Sequence, residues 1–332
     1  MSLLDKKDKI YVAGSNGMVG SAICKLLKKE GYTKENKKLI THSKKELDLT
    51  DFEQVKKWFA ENKPDIVIIA AAKVGGIMAN NKYPVDFLLD NLKIQNNLIE
   101  SSWKNGVKRL LFLGSSCIYP KLSNQPIKEE YLLSDSLEET NQWYAIAKIA
   151  GLKLCEAYRR QHKFDAISLM PTNLYGPKDN YNLEDGHVMA ALIRKFHEAK
   201  IKNNNEVICW GSGKPLREFL FVEDFAEASI FALKKWDPNL VNSPKDKDGK
   251  SLYWLNVGSD FEISIFDLAQ KIATISGFKG QIIWDESKPD GTPRKKLDNN
   301  HLKKIGWEAF TDLDCGIRKT INSFLEEYEI KQ

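Results

Sequence analysis

The sequence predicts an α/β protein built on a doubly wound parallel sheet, with a smaller C-terminal α/β lobe. Three observations carry this. Short apolar strands alternate with amphipathic helices through the first half of the chain. The third strand, "DIVIIAAA", is apolar at almost every position, as expected where helices cover both faces of a sheet. A run of spaced glycines stands where the first strand gives way to the first helix.

Taken in order, "KIYVA" (9–13) reads as the first strand and "SAICKLLKKEG" (21–31) as its helix, with apolar residues at helical spacing. "KLIT" is the second strand. "DFEQVKKWFAEN" is a helix capped by Thr50 or Asp51. "DIVIIAAA" follows, then a helix over 85–105, the strand "KRLLFLG", a long helix over 144–161 and the strand "DAISLM". Beyond about residue 171 the regularity fades. The stretch 172–187 reads as loop, 188–199 as helix, "EVICW" as strand and "SKPDGTPRKKLD" as a polar loop.

Gly14, Gly17 and Gly20 form G-x-x-G-x-x-G after a strand and before a helix. Backbone amides there face an anion, and the helix N-terminus adds favourable partial charge. Glycine also lets a pyrophosphate approach the backbone, so the loop points to a dinucleotide in a Rossmann-type domain. After the second strand stand His42, Ser43, Lys44 and Lys45, with no early acid for ribose hydroxyls. The cations suit a 2′-phosphate and favour NADP. The expected division is therefore an NADP-binding domain of 1–175 with part of 206–236, and a substrate-binding lobe of 176–205 and 237–332.

"YAIAK" sets Tyr144 and Lys148 at i and i+4, on one helix face. A free phenol, with a pKa of about 10, is a poor acid-base catalyst at neutral pH, and a nearby ammonium favours its ionised form. Ser115, at the end of the fourth strand in "GSSCIYP", is placed to orient a carbonyl beside that phenol.

These motifs, with "AAAKVGGI", "MPTNLYGP", "WGSG", "REFLFVEDFA" and "SKPDGTPRK", resemble the extended short-chain dehydrogenase/reductase family across residues 9–313. They are most similar to its nucleotide-sugar epimerase-reductases. The resemblance implies epimerisation of GDP-4-keto-6-deoxy-D-mannose at C3 and C5 and NADPH-dependent reduction at C4, giving GDP-L-fucose. Dehydratases of the family carry an acid pair near the serine, and this chain has Ser115, Ser116 and Cys117 instead. The resemblance assigns Cys117 as base and His187 as acid, with Ser115, Tyr144 and Lys148 as the reducing triad. It places the cofactor against Gly14, Ser15, Asn16, Gly17, Met18, Val19 and Gly20. Lys44, Asp48, Leu113, Gly114 and Ser115 belong to the same surface, as do Lys148, Pro171, Asn173, Leu174 and His187. Lys195, Trp210, Arg217 and Asp290 match substrate-binding positions. Asn16 stands where some relatives carry an arginine that would grip the 2′-phosphate, which leaves use of NAD beside NADP open. The family also implies a homodimer packed through the helices of 85–105 and 144–161.

Composition bounds the rest. The 332 residues, 42% of them hydrophobic, suffice for one large core or two linked domains. A net charge of +5 with dispersed lysines does not indicate a nucleic-acid binder. No signal-type apolar segment and no membrane-length run is found. Cys24, Cys117, Cys155, Cys209 and Cys315 lack metal or paired spacing, so a reduced, cytoplasmic protein without structural metal is expected.

Overall fold

The computed structural model describes residues 2–329. The first half alternates as β1 (Ile10–Ala13), α1 (Met18–Lys29), β2 (Leu39–Ile40), α2 (Phe52–Asn62) and β3 (Ile66–Ile69). It continues as α3 (Ile77–Lys82), α4 (Pro84–Lys104), β4 (Arg109–Leu113), α5 (Gln142–His162), β5 (Ala166–Pro171) and β6 (Asn173–Tyr175). Asp51 caps α2 by accepting from the Gln54 amide, and Pro84 starts α4 at a position where its missing N–H costs nothing. The second half runs α6 (Val188–Ile201), β7 (Glu206–Trp210), β8 (Leu216–Phe221), α7 (Val222–Lys235), β9 (Trp254–Val257) and β10 (Glu262–Ser264). It ends with α8 (Ile265–Ser276), β11 (Gln281–Asp285), β12 (Arg294–Lys295), α9 (Asn300–Lys304) and α10 (Leu313–Glu329).

Six parallel strands in the order β2-β1-β3-β4-β5-β9 form the main sheet. The expected doubly wound parallel sheet is therefore present. Its order reverses between β1 and β3, the switch point where such sheets bind ligands. One apolar core lies on the α1 and α7 face and another on the α2, α4 and α5 face. A third core, around Met189, Phe196, Phe219 and Ile272, belongs to the smaller lobe. There β8 pairs with β6 and β12 in parallel and with β10 antiparallel, while β7 and β11 form a separate parallel pair.

The structure departs from the sequence-based expectation in three places. β9 lies inside 237–332, the stretch expected in the smaller lobe, yet it is the sixth strand of the main sheet. The stretch 172–187 is not all loop, because Asn173–Tyr175 pairs with β8. The six-residue α3 is too short for helical periodicity to reveal.

Candidate active site

The glycine loop divides into two structural positions and one open one. Gly14 has φ +84°, and a Cβ there would lie 2.6 Å from the Ala71 amide nitrogen at the end of β3. A Cβ on Gly20 would lie 2.1 Å from the Gly14 carbonyl oxygen, so this glycine lets α1 sit against the loop. Gly17 is different: its φ is −76°, and a Cβ would meet only the Gly14 carbonyl, at 3.6 Å. Gly17 is also the N-cap of α1, with no side-chain cap and no acid in the first turn. The first-turn amides therefore face an open, anion-favouring position that fits a pyrophosphate. Ser15 is nearly buried beneath the loop, Asn16 is exposed, and Met18 and Val19 pack onto the core.

Beyond β2, Lys44 and Lys45 are exposed and form no ion pair among the described residues. His42 is committed elsewhere, hydrogen-bonded to the Tyr11 hydroxyl and set edge-on to Trp58, and burial lowers its pKa. Asp48 Oδ1 accepts from the Thr50 amide at 2.9 Å and the Thr50 hydroxyl at 2.8 Å, which holds its pKa down.

The end of β4 gathers the reactive side chains. Gly114 leaves room there for the Met170 side chain, whose Sδ would lie 2.2 Å from a Cβ and would have to shift. Ser115 Oγ accepts from the Cys117 amide at 3.2 Å and opens a single 3₁₀ turn, Ser116–Ile118. Lys148 is buried on α5, and its Nζ donates to the Leu113 carbonyl at 2.8 Å. It lies 4.9 Å from the Phe112 ring centroid and 5.8 Å from that of Tyr144. Burial lowers the Lys148 pKa to about 8. The Tyr144 pKa is raised, first by burial and then by the Cys117 sulfur, while a hydrogen bond from Ser115 opposes the rise. The sequence reading looked to Lys148 to bring the phenol down; in the chain by itself burial prevails. The phenol is thus protonated and suited to giving a proton.

His187 is the N-cap residue of α6. Its imidazole is open to solvent but stands in a cleft crowded by protein, and that surrounding, followed by the Lys295 ammonium, lowers its pKa. The preceding loop is pinned where the Gly76 amide donates to the Asp185 carbonyl at 2.8 Å. Pro171 ends β5, Leu174 packs on the main core, and Asn173 Nδ2 donates to the Glu218 carbonyl at 2.7 Å.

The four residues matched to substrate binding fall into two groups. Lys195 Nζ donates to the Ile208 carbonyl at 2.8 Å and lies 4.9 Å from the Trp210 ring centroid, with Lys288 Nζ at 5.7 Å from the same ring. Arg217 donates to the Asp290 carbonyl at 3.3 Å. The Asp290 carboxylate accepts from the Ser212 amide at 2.8 Å and hydroxyl at 2.7 Å, so it braces the "WGSG" turn as well as facing the cleft. Sequence reasoning missed Lys288, Asn141 and Lys295. The last two reach the Cys117 sulfur, Asn141 Nδ2 at 3.6 Å and Lys295 Nζ at 3.8 Å. Their signal was present but unread: Asn141 stands just before "QWYAIAK", and Lys295 closes the "SKPDGTPRK" block.

Residues 10–242 match the model of the NAD dependent epimerase/dehydratase family. The chain is 51% identical over 325 residues to GDP-L-fucose synthase 1 of Arabidopsis thaliana, covering 98% of this chain and 95% of that one. It is 47% identical over 323 residues to GDP-L-fucose synthase of Escherichia coli K12, covering 97% and 98%. A crystal structure of a GDP-L-fucose synthetase from Naegleria fowleri bound to NADP superposes with a TM-score of 0.84 at 31% identity, covering 98% and 96%.

The glycine loop yields a direct test. Gly17→Val should tolerate its extended backbone and leave the melting temperature nearly unchanged, while NADPH affinity falls ~10-fold or more, about 1.4 kcal/mol or more. Cofactor fluorescence titration reads the affinity, and wild-type binding by the variant would show that the open position holds no phosphate.

Proposed function

The chain belongs to the NAD dependent epimerase/dehydratase family and, within it, to the GDP-L-fucose synthases, and on that premise we propose how its residues convert GDP-4-keto-6-deoxy-D-mannose to GDP-L-fucose. The reaction inverts C3 and C5 of the sugar and then reduces the C4 ketone with NADPH. One observation carries the assignment: Ser115, Cys117, Tyr144 and Lys148 meet at the end of β4, beside a dinucleotide-type glycine loop.

The ketone oxygen sits against the Ser115 and Tyr144 hydroxyls. Their hydrogen bonds draw charge onto that oxygen and so acidify the hydrogens on C3 and C5. Cys117 removes a proton from one face, the electron pair moves to the oxygen as an enolate, and His187 returns a proton to the opposite face. This happens once at each centre, and solvent resets the two groups. When bound, NADPH would be held by the Gly14–Gly20 loop, with Lys44 and Lys45 available to its 2′-phosphate, and would supply the hydride for C4. Tyr144 gives its proton to the oxygen, and the Lys148 ammonium stabilises the phenolate that results. Lys195 and Arg217 meet the pyrophosphate of the GDP-sugar as charge-assisted donors, and Trp210 offers an apolar face to it.

We also infer a homodimer and a cytoplasmic setting. Val85 and Leu89 of α4 and Trp143 and Ile146 of α5 are exposed on neighbouring helices and form an apolar face suited to a twofold contact. The five cysteines are free, which suits a reducing compartment. No helix among the described residues is long and apolar enough to cross a membrane. Sedimentation at micromolar concentration should give twice the mass of one chain, and a monomer there would exclude the dimer.

Incubation with the keto sugar and NADPH in deuterated water tests the chemistry. The wild type should form GDP-L-fucose with deuterium at both carbons flanking the ketone. Cys117→Ser should incorporate none and release a reduced sugar of the D series, because a serine hydroxyl is far less acidic than a thiol. Normal incorporation by this variant would place the base elsewhere. The pH profile tests the triad. Lys148 is charged below about 8 and loses that charge as pH rises through it. Reduction should therefore decline above that point, and Lys148→Met should be slow with no break there. A wild-type profile flat across this range would remove Lys148 from the proton-transfer step.

A further inference from the structure

Two hydrogen-bond donors converge on the Cys117 sulfur: Asn141 Nδ2 at 3.6 Å and Lys295 Nζ at 3.8 Å. Among the described residues no acceptor receives a proton from that sulfur. A neutral thiol is a weak donor and a weak acceptor, whereas a thiolate is matched by donors alone.

The backbone explains how Lys295 arrives there. β12 is a two-residue strand, so its two side chains leave on opposite faces. Arg294 turns outward and pairs with Glu262 at 2.7 Å. Lys295 turns into the cleft and forms no ion pair with a carboxylate among the described residues. Its register partner on β8 is Arg217, and the Cys117 sulfur acts on that guanidinium in turn, raising its pKa against the lowering by burial. The Lys295 charge also acts on His187. The ammonium thus stands within electrostatic reach of both the base and the acid. Beside Cys117 lies a cavity of about 10 Å³ that Asn141 and Lys295 help to line, room for one water and no more.

We propose that Lys295 is a positioning residue for epimerisation: its ammonium holds Cys117 as the thiolate that takes the sugar proton, with Asn141 as second donor. The inference rests on the epimerase-reductase reading above. In the step it serves, the C–H bond breaks and an S–H bond forms. The electron pair passes to the ketone oxygen, and the ammonium keeps its own protons throughout. An ammonium that pairs with no carboxylate among the described residues is free to offset the negative sulfur until the proton transfers. Lys295 is thereby distinct from Lys148, which faces the phenol and the Leu113 carbonyl on the other side of the 3₁₀ turn.

The test begins without substrate, on the full chain with bound NADPH as the control for folding. Alkylation of Cys117 by iodoacetamide at pH 7 is followed by peptide-resolved mass spectrometry, which separates it from Cys315, the other cysteine that is not buried. Removing a cation within a few ångströms of a titrating group changes its ionised fraction by about tenfold or more. Lys295→Met should therefore slow alkylation ~10-fold or more, and Lys295→Arg should restore most of the rate. In deuterated water the Met variant should lose deuterium incorporation by a similar factor and release more uninverted D-series sugar. Wild-type alkylation by Lys295→Met, or an Arg variant as slow as Met, would overturn the inference. A wild type that incorporates no deuterium and forms no L-sugar would instead overturn the epimerase-reductase reading, and the alkylation result would then stand or fall by itself.

Discussion

Lys148 Nζ donates to the Leu113 carbonyl at 2.8 Å, and this bond joins the helix that carries Tyr144 to the strand whose end carries Ser115 and Cys117. The ammonium is buried, so the bond is not interchangeable with one to water. Breaking it would leave a buried charged donor without its acceptor, a loss of about 1.5–3 kcal/mol for a hydrogen bond to a charged group. Gly151, one turn further on, makes the approach possible, since a Cβ there would meet the Gln95 side chain and the Phe112 ring at 2.6 Å. Gln95 Nε2 in turn donates to the Ala147 carbonyl at 2.6 Å, tying α4 to the same turn of α5. Lys148 is thus a tie between the helix of Tyr144 and the strand that leads to Ser115 and Cys117.

The cofactor side depends on a similar economy of space. Gly14 and Gly20 allow β1, β3 and α1 to crowd together at the switch point, and only Gly17 among the three is left open toward a ligand. Beyond it, Lys44 and Lys45 are exposed after β2, and Asn16 in the loop is exposed as well. The charge of such exposed ammonium groups is solvated, and its pull on an anion weakens as salt is added.

The smaller lobe closes the site from the opposite direction. β8 is its hub: the Glu218 carboxylate, fully buried, accepts from the Asp260 amide at 2.7 Å and the Leu297 amide at 2.9 Å. Those bonds tie the turn before β10 and the chain just after β12 to β8, and through β12 they hold Lys295 beside Cys117. Cys117, beyond the end of β4, therefore receives its cationic neighbour from a strand of the smaller lobe. Any movement between the lobes would alter that contact before it disturbed the Tyr144 and Lys148 pair, which lies within one helix.

What the sequence determined by itself was whatever short-range pattern encodes. The i, i+4 spacing put Tyr144 and Lys148 on one face, the glycine spacing marked the strand-to-helix turn, and apolar runs located β1, β3, β4 and β5. Motif resemblance added Cys117 and His187, which no local periodicity distinguishes from an ordinary core cysteine or a surface histidine. Only the tertiary structure decided which sheet received β9, that Asn173–Tyr175 became a strand, and that burial rather than Lys148 governs the phenol. It alone brought Lys295 to a sulfur 178 residues away in the chain. The physical reason is common to all four: strand pairing and burial are set by partners distant along the chain, and a four-residue strand or a single lysine carries no local mark of the neighbour it will meet.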